Sequence, residues 1–420
     1  MISCVPDSAP IKGVPAEREA LKRRPVLLAV AVATATVLPA FLTGGLAVHV
    51  RDEFHFGTAA LGLAVAAFFV TASVASAVMG RVVERIGPHR GMRLAAAGSA
   101  ASLLGVALFA RSWSGLVACL VLGGLANAVS HPAANLSLAR EVPAGRQGLS
   151  FGIKQAAIPV ATLLAGLAVP TIAATLGWRW AFAGGAALAL AVAFLVPAST
   201  RGSIVLPSGV KGDKDARTGP LFLLALGIGL GSTAATPLGA FLVESSVAAG
   251  LRVETAGLLL ASGSAASIAV RVLFGRLADE MSGGRLLLVA AMLATGVAGF
   301  VMLATGEEVL ILPGALLAFA AGWGWPGLFN FAVVKTSPGA PAAATGITQT
   351  GASGGAAVGP LVFGLVAEAV SYQVAWLVCG AFALGALAAI VAGRRMILRD
   401  RRAFAQGTFD ARTVKGGFRT

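Results

Sequence analysis

The chain has 420 residues, 57% of them hydrophobic and only 12% charged, and its mean hydropathy is +0.85. Soluble globular domains carry about 25% charged residues, so this composition excludes an ordinary water-soluble fold, and no stretch of mixed composition is long enough to form one. The net charge of +14 invites a nucleic-acid reading, which the placement of the charges along the chain argues against.

A helix crosses a hydrocarbon core of ~30 Å with roughly 20 apolar residues, and it satisfies its own backbone hydrogen bonds there. Twelve segments fit, at about 26–49, 58–80, 94–110, 115–138, 148–174, 180–197, 220–243, 255–277, 285–305, 309–334, 343–369 and 374–393. The first follows Lys22-Arg23-Arg24 and resembles a secretory signal, but it runs on without a small-residue cleavage site and reads as a retained span. Residues 1–24 are expected to form a tail, 198–219 a polar linker, and 394–420 a second solvated tail. Cys4, Cys119 and Cys379 have neither disulfide nor metal-ligand spacing, so no metal and no cofactor are expected.

Lys and Arg mark the cytoplasmic loops of such proteins. Of the 32 Lys and Arg residues, 26 fall in the tails and the loops on the same side. Only Arg51, Arg111, Arg179 and Arg252 fall in the opposite loops, and Lys154 and Arg271 lie inside spans. Both termini are therefore expected on the cytoplasmic side of a cytoplasmic membrane. The net charge is explained by topology and contact with anionic lipid, with no nucleic-acid partner.

The sequence also repeats. A shift of 194 aligns Pro132 with Pro326, Gly145 with Gly339, and Gly152-Ile153-Lys154-Gln155 with Gly346-Ile347-Thr348-Gln349. A shift of 195 aligns Gly80-Arg81 with Gly275-Arg276, and Glu84 with Asp279. Two halves, 25–197 and 220–393, follow, each with six helices in the same orientation and related by an axis along the membrane normal.

The loop Gly80-Arg81-Val82-Val83-Glu84-Arg85-Ile86-Gly87-Pro88-His89-Arg90 resembles the signature between helices 2 and 3 of the major facilitator superfamily. Gly275-Arg276-Leu277-Ala278-Asp279 echoes it, and Gly177-Trp178-Arg179-Trp180-Ala181-Phe182 is similar to the start of helix 6 in many members. The resemblance implies an all-α membrane protein with twelve transmembrane helices in two pseudo-symmetric six-helix bundles. It also implies a cytoplasmic gate in which Glu84 faces the start of span 11 and Asp279 the start of span 5, supported by Arg85 and Arg276. Two departures weigh against a multidrug exporter. Span 5 has Ile158-Pro159 and Val169-Pro170 in place of the Gly-Pro signature of drug antiporters, and Cys119 or Leu120 stands near the usual helix 4 arginine.

Ionisable groups within a bilayer are costly, so each is a candidate for function. Lys154 reads either as a substrate ligand or as a snorkelling side chain. His131, with Asn127 and Asn135 one turn away on either side, is either a helix-contact residue or a proton or substrate group. Gln155 and Gln349 are equivalent by the repeat and are expected either to face each other across a cavity or to stitch helices together. Trp323, Trp325 and Asn330 surround a Gly-Pro-interrupted stretch that reads as a binding wall or as packing, and Arg271 reads as a gate or topology residue. No Asp or Glu falls near the middle of a span. The expected function is alternating-access transport of a small anionic or polar neutral solute by a monomer, with a coupling proton or counter-solute left open. Multidrug or metabolite efflux and a non-transporting solute sensor are the alternatives. No Walker loop, HExxH or other catalytic motif supports an enzyme.

Overall fold

The computed structural model describes residues 15–142, 150, 153–198, 218–281, 283–337 and 341–405. Within those, the side chains at 15–23, 77, 218, 278–280, 341–343 and 401–405 are not described. Twelve helices are long and apolar enough to cross a membrane: Arg24–Gly45, Thr58–Ser76, Pro88–Leu108, Trp113–Glu141, Ala157–Leu176, Trp178–Leu195, Gly219–Ala248, Val253–Leu277, Arg285–Thr305, Glu308–Thr336, Ala344–Ala369 and Tyr372–Asp400. They are called spans 1 to 12. An even number of crossings puts residues 24 and 400 at one end of the bundle, the terminal end. The loops near 51–57, 109–112, 249–252 and 370–371 lie at the distal end.

The repeat holds in the helices themselves. The helix of span 2 starts at Thr58 and that of span 8 at Val253, separated by the expected 195 residues. The first helix begins earlier than expected, at Pro15, and the last continues to Ala405, beyond the expected end at 393. Proline is tolerated at a helix start, as at Pro15, and residues 394–405 contain neither glycine nor proline, while the first helix runs on through Pro25. The linker at 199–217 lies outside the described residues.

Each half packs internally, with span 4 against spans 1, 2 and 3, and span 12 against spans 7 and 9. The halves meet through spans 1 and 7, 2 and 11, and 5 and 8. These contacts are not evenly distributed along the membrane normal. One large apolar cluster, containing Phe41, Phe68, Phe182, Phe241, Phe319, Phe363 and Trp376, runs through both halves. Toward the terminal end it gives way to separate clusters. Val32, Val83, Met92, Val129 and Val192 form one in the first half, and Leu221, Leu224, Leu286, Trp325 and Phe329 another in the second.

Glycines show the same asymmetry. A Cβ on Gly62 would lie 2.3 Å from the Pro360 carbonyl oxygen, one on Gly166 2.6 Å from the Ala261 nitrogen, and one on Gly44 2.5 Å from the Ala240 Cα. At these crossings of the two halves the backbones touch, so only glycine fits. A Cβ on Gly80, Gly275, Gly346 or Gly354, toward the terminal end, would meet nothing within 4 Å. Among the described residues, the backbones of the two halves touch toward the distal end, and these terminal-end glycines make no such contact.

The distal end of the first half is closed by the Gly177-Trp178-Arg179 turn, where Gly177 has φ +96°. Arg179 donates to the carbonyls of Val106, Ala107 and Ala110, which the end of span 3 leaves without helical partners, and to Glu53 at 2.7 Å. The Trp178 indole donates to the same carboxylate at 2.8 Å. Burial pushes the Glu53 pKa up, but the hydrogen bonds from Arg179 and Trp178 and the charges of Arg179 and Arg111 outweigh it and hold the group below the usual carboxylate range.

Gly62→Leu is expected to force the distal seam apart, because the side chain has no room between spans 2 and 11. A cysteine introduced at the fully buried Ala240 should resist a membrane-impermeant maleimide in the parent protein and react once Gly62→Leu is added. Equal protection in a folded Gly62→Leu protein would show that these glycine contacts do not seal the halves.

Candidate functional site

The site is built around two helix breaks, one in each half. In the first half, span 4 is a continuous helix through Pro132, whereas the regular helix of span 5 begins only at Ala157. Residues 153 and 154 are helical, and a turn at 155–156 follows, with the Ala156 amide donating to the Ile153 carbonyl. Lys154 is helical and immediately precedes that turn, near the terminal end of span 5. Proline at 159 has no N–H, so the Gln155 carbonyl, four residues earlier, loses its helical donor.

In the second half, span 10 runs as an α-helix to Leu317, widens to a π-turn over Ala318–Gly322, breaks at residues 323–325, and resumes at Pro326. Pro326 likewise withholds the donor that a tight turn would offer the Trp323 carbonyl. By the 194-residue shift, the break falls opposite residues 129–131 of span 4, just before Pro132, where the chain stays helical, so the two halves differ locally where the repeat is strongest in sequence.

Arg271, from span 8, fills both vacancies. It donates to the Gln155 carbonyl at 2.6 Å and to the Trp323 carbonyl at 2.6 Å, so one guanidinium ties a break in the first half to a break in the second. Its Nε is buried and has no partner. Next to Gln155, the buried Lys154 ammonium donates to Asn135 Oδ1 at 2.7 Å and to His131 Nδ1 at 3.3 Å. An ammonium can only donate, so His131 Nδ1 acts as the acceptor. Both partners of Lys154 are neutral in this arrangement. Among the described residues, neither Lys154 nor Arg271 is paired with a carboxylate. On the distal side of this pair, Trp323 meets Phe41 of span 1 edge to face, with centroids 5.8 Å apart, and Phe41 contacts Phe69 in the same way. These rings cap the site where the two halves close over it.

Of the expected site residues, the structure brings Lys154 and His131 together and adds Asn135 and Arg271. Gln155 contributes its carbonyl to Arg271, while its side chain is half-buried. Gln349 is exposed, and among the described residues no hydrogen bond joins it to Gln155. Asn127 is buried and donates to Thr36 Oγ1 at 3.4 Å, joining spans 1 and 4. Trp325 is not a cavity wall. It is fully buried in the apolar cluster of the second half, stacks edge to face on Phe329, and donates its indole N–H to the Gly322 carbonyl at 2.8 Å. Asn330 is half-buried one turn farther along span 10.

Much of the expected gate, including the starts of spans 5 and 11, lies outside the described residues. Glu84, Arg85, Arg90 and Arg276 are exposed, and the Asp279 side chain lies outside the described residues, as does residue 282 in the same loop. Gly87 has φ +88° and joins spans 2 and 3 in a turn that other residues adopt only with strain. Gly80 and Gly275 are spaced for close contact but face open space.

Comparison with known proteins settles the family. The sequence profile of the Major Facilitator Superfamily matches residues 26–242 and again 221–410. The chain belongs to this superfamily. A curated relative, the "Chloramphenicol resistance protein" of Streptomyces lividans, is 29% identical over 352 residues, covering 80% of this chain and 87% of that protein. Among solved structures, a bacterial homologue of the human lysosomal transporter Spinster, described as inward-facing and occupied, matches with a TM-score of 0.69 at 15% identity. That match covers 92% of this chain and 99% of the other and shows a shared fold. The chain is thus a multi-pass transporter of the superfamily, with its polar site between the two six-helix halves.

Trp325→Ala should act on folding, not on the solute site. Removing a fully buried indole costs ~3–5 kcal/mol in packed cores, which thermal unfolding in detergent would register, while solute affinity should stay as in the parent. A variant with unaltered stability and lost affinity would return Trp325 to the site.

Proposed function

We propose that this transporter is a secondary active carrier that moves a small anionic or polar neutral solute across the cytoplasmic membrane by alternating access, with both termini cytoplasmic. The observation that carries the reading is that Arg271 of the second half binds the backbone next to Lys154 of the first half, with no carboxylate paired to either among the described residues. A cation in this site would meet two like charges, whereas an anion would relieve an uncompensated charge that the membrane interior penalises. The orphaned Arg271 Nε is a donor still to be used. A solute that draws Arg271 from the Gln155 carbonyl would also loosen the tie between the halves, which gives binding a route to conformational change.

Support for alternating access comes from the idle glycines and from the exposure of the described gate residues. Gly80 and Gly275 have room for a neighbour, and Glu84, Arg85 and Arg276 lie free on the terminal-end surface. Rocking the halves about the site would bring these groups together as the distal seam opens. The excess of Lys and Arg at the terminal end supports a cytoplasmic location for it, so that the described state faces inward.

The likeness to a chloramphenicol resistance protein favours a second reading, export of a neutral polar drug through the same site. Flux measurements in proteoliposomes separate the two. For an anionic substrate, Lys154→Ala is expected to raise the half-saturation concentration about 10- to 100-fold, the equivalent of one charge-assisted hydrogen bond. An unchanged half-saturation would remove Lys154 from the site. Flux of chloramphenicol with no anion transported would select the second reading, and binding without flux would mark a sensor.

A further inference from the structure

A second charged cluster lies at the distal end, away from the solute site. Span 1 ends at Gly45, and a short helix, Ala47–Phe54, carries the chain across this end. From that helix Arg51 pairs with Glu244 at the end of span 7, in the opposite half. Tyr372, at the start of span 12, donates to the same Glu244 Oε1 at 2.6 Å, and Thr58, at the start of span 2, approaches it at 3.4 Å and Tyr372 at 3.2 Å. Alongside, Glu368 of span 11 accepts the Ala59 amide of span 2 at 2.8 Å. Carboxylates of the second half therefore hold donors of the first half at the level where the glycine seam begins.

Glu244 differs from Glu368 in its surroundings. Its side chain is 6% exposed, and its second oxygen, Oε2, is buried without a partner. A cavity of about 500 Å³ reaches it, lined by His49, Arg51, Asp52, His55, Tyr372 and Glu244 itself. The carboxylate thus combines a cross-half ion pair, an unused lone pair and an aqueous approach from the distal side. Other titratable groups face it. His49, Asp52 and His55 lie on or just after the short helix, Glu254 lies at the start of span 8 near His49, and Glu368 and Tyr372 lie on spans 11 and 12. Burial pushes the His49 imidazole below its ordinary pKa, and the opposing pull of Glu254 and Asp52 does not restore it.

We propose that Glu244 is a proton-binding site that latches the distal end, and that taking up a proton from the distal solution releases the latch. The proton adds to the free lone pair of Oε2 and leaves by the same cavity when the carboxyl ionises again, so no other reactant is required. Protonation cancels the charge that pairs with Arg51 and weakens the bond from Tyr372, while the hydrophobic seam beneath is unaltered. The latch is held while the carboxyl is ionised and loosens as the distal pH falls through its pKa. This assigns a coupling ion to the transport cycle. It rests on the alternating-access reading, and its test needs no solute.

Spin labels at Phe109→Cys and Val309→Cys, both exposed distal positions in opposite halves, would report the distal distance in a background without native cysteines. The parent should show a single short distance at alkaline pH and a growing longer population on acidification. Glu244→Gln should show the longer population already at alkaline pH, with the ratio of open to closed forms raised about 10- to 100-fold, and no further response to acid. Glu244→Asp, which keeps a carboxyl, should restore the pH response, and Tyr372→Phe should shift the ratio in the same direction but by less. A wild-type response in Glu244→Gln, or its loss only in His49→Asn or His55→Asn, would overturn the proposal. If the distal distance changes with pH while no solute is transported, the proton site stands and the solute reading fails.

Discussion

Two positive charges held between the halves without a counter-ion are the constraint around which this protein is arranged. Charges within a membrane are retained only where something compensates them. Here the local compensation is partial and neutral: amide and imidazole acceptors for Lys154, and two backbone carbonyls for Arg271. Those carbonyls are available because Pro159 and Pro326 deny them helical donors. The prolines thus do more than bend helices, since they create acceptors that allow an arginine to be buried. As one acceptor belongs to each half, the guanidinium also spans the division between the two halves.

The distal seam gives that site its one-sided access. Helices of opposite halves approach at glycines so closely that a methyl group would not fit, and the apolar cores merge there into a single cluster. Without such contacts the attraction between helices in lipid is weak, because lipid competes with apolar side chains on equal terms. Close backbone packing and a few polar ties therefore decide which end is shut. Toward the terminal end a Cβ on Gly80, Gly275, Gly346 or Gly354 would meet nothing, and the described apolar cores of the halves are separate. Seam and site are coupled through Phe41 and Trp323, which contact each other across the halves directly above the charged pair.

Much of this was legible in the sequence. Hydropathy located twelve spans, and matched prolines and glutamines located the repeat, because both signals depend on composition along one helix. Lys154 and His131 were identified by the cost of burying an ionisable group, which also needs no knowledge of neighbours. Partnerships between distant helices were not legible. Asn127 was a candidate because it is polar, but Thr36 on span 1 satisfies it. Trp325 and Trp323 are two residues apart in an irregular turn, and only the geometry of the break sends one into the core and the other to the interface. Gln155 and Gln349 are equivalent by the repeat, but equivalence alone does not fix whether two residues face each other, and among the described residues no hydrogen bond joins them. Arg271 carried a detectable signal, an arginine in a span with prolines four and three residues beyond the carbonyls it finds, but pairing them required the fold. Glu244 lies near the end of a span and carries no signal of its own in the sequence, since its partners come from residues far away in the chain.

The most direct measurement is a thermal-shift screen of the purified transporter against small anions, their neutral analogues and organic cations, because a ligand stabilises the state it binds. An uncompensated pair of Lys154 and Arg271 predicts stabilisation by anionic or polar neutral solutes and none by cations. Stabilisation by organic cations alone would contradict it, because such a ligand would require a negative site where the structure places two positive groups.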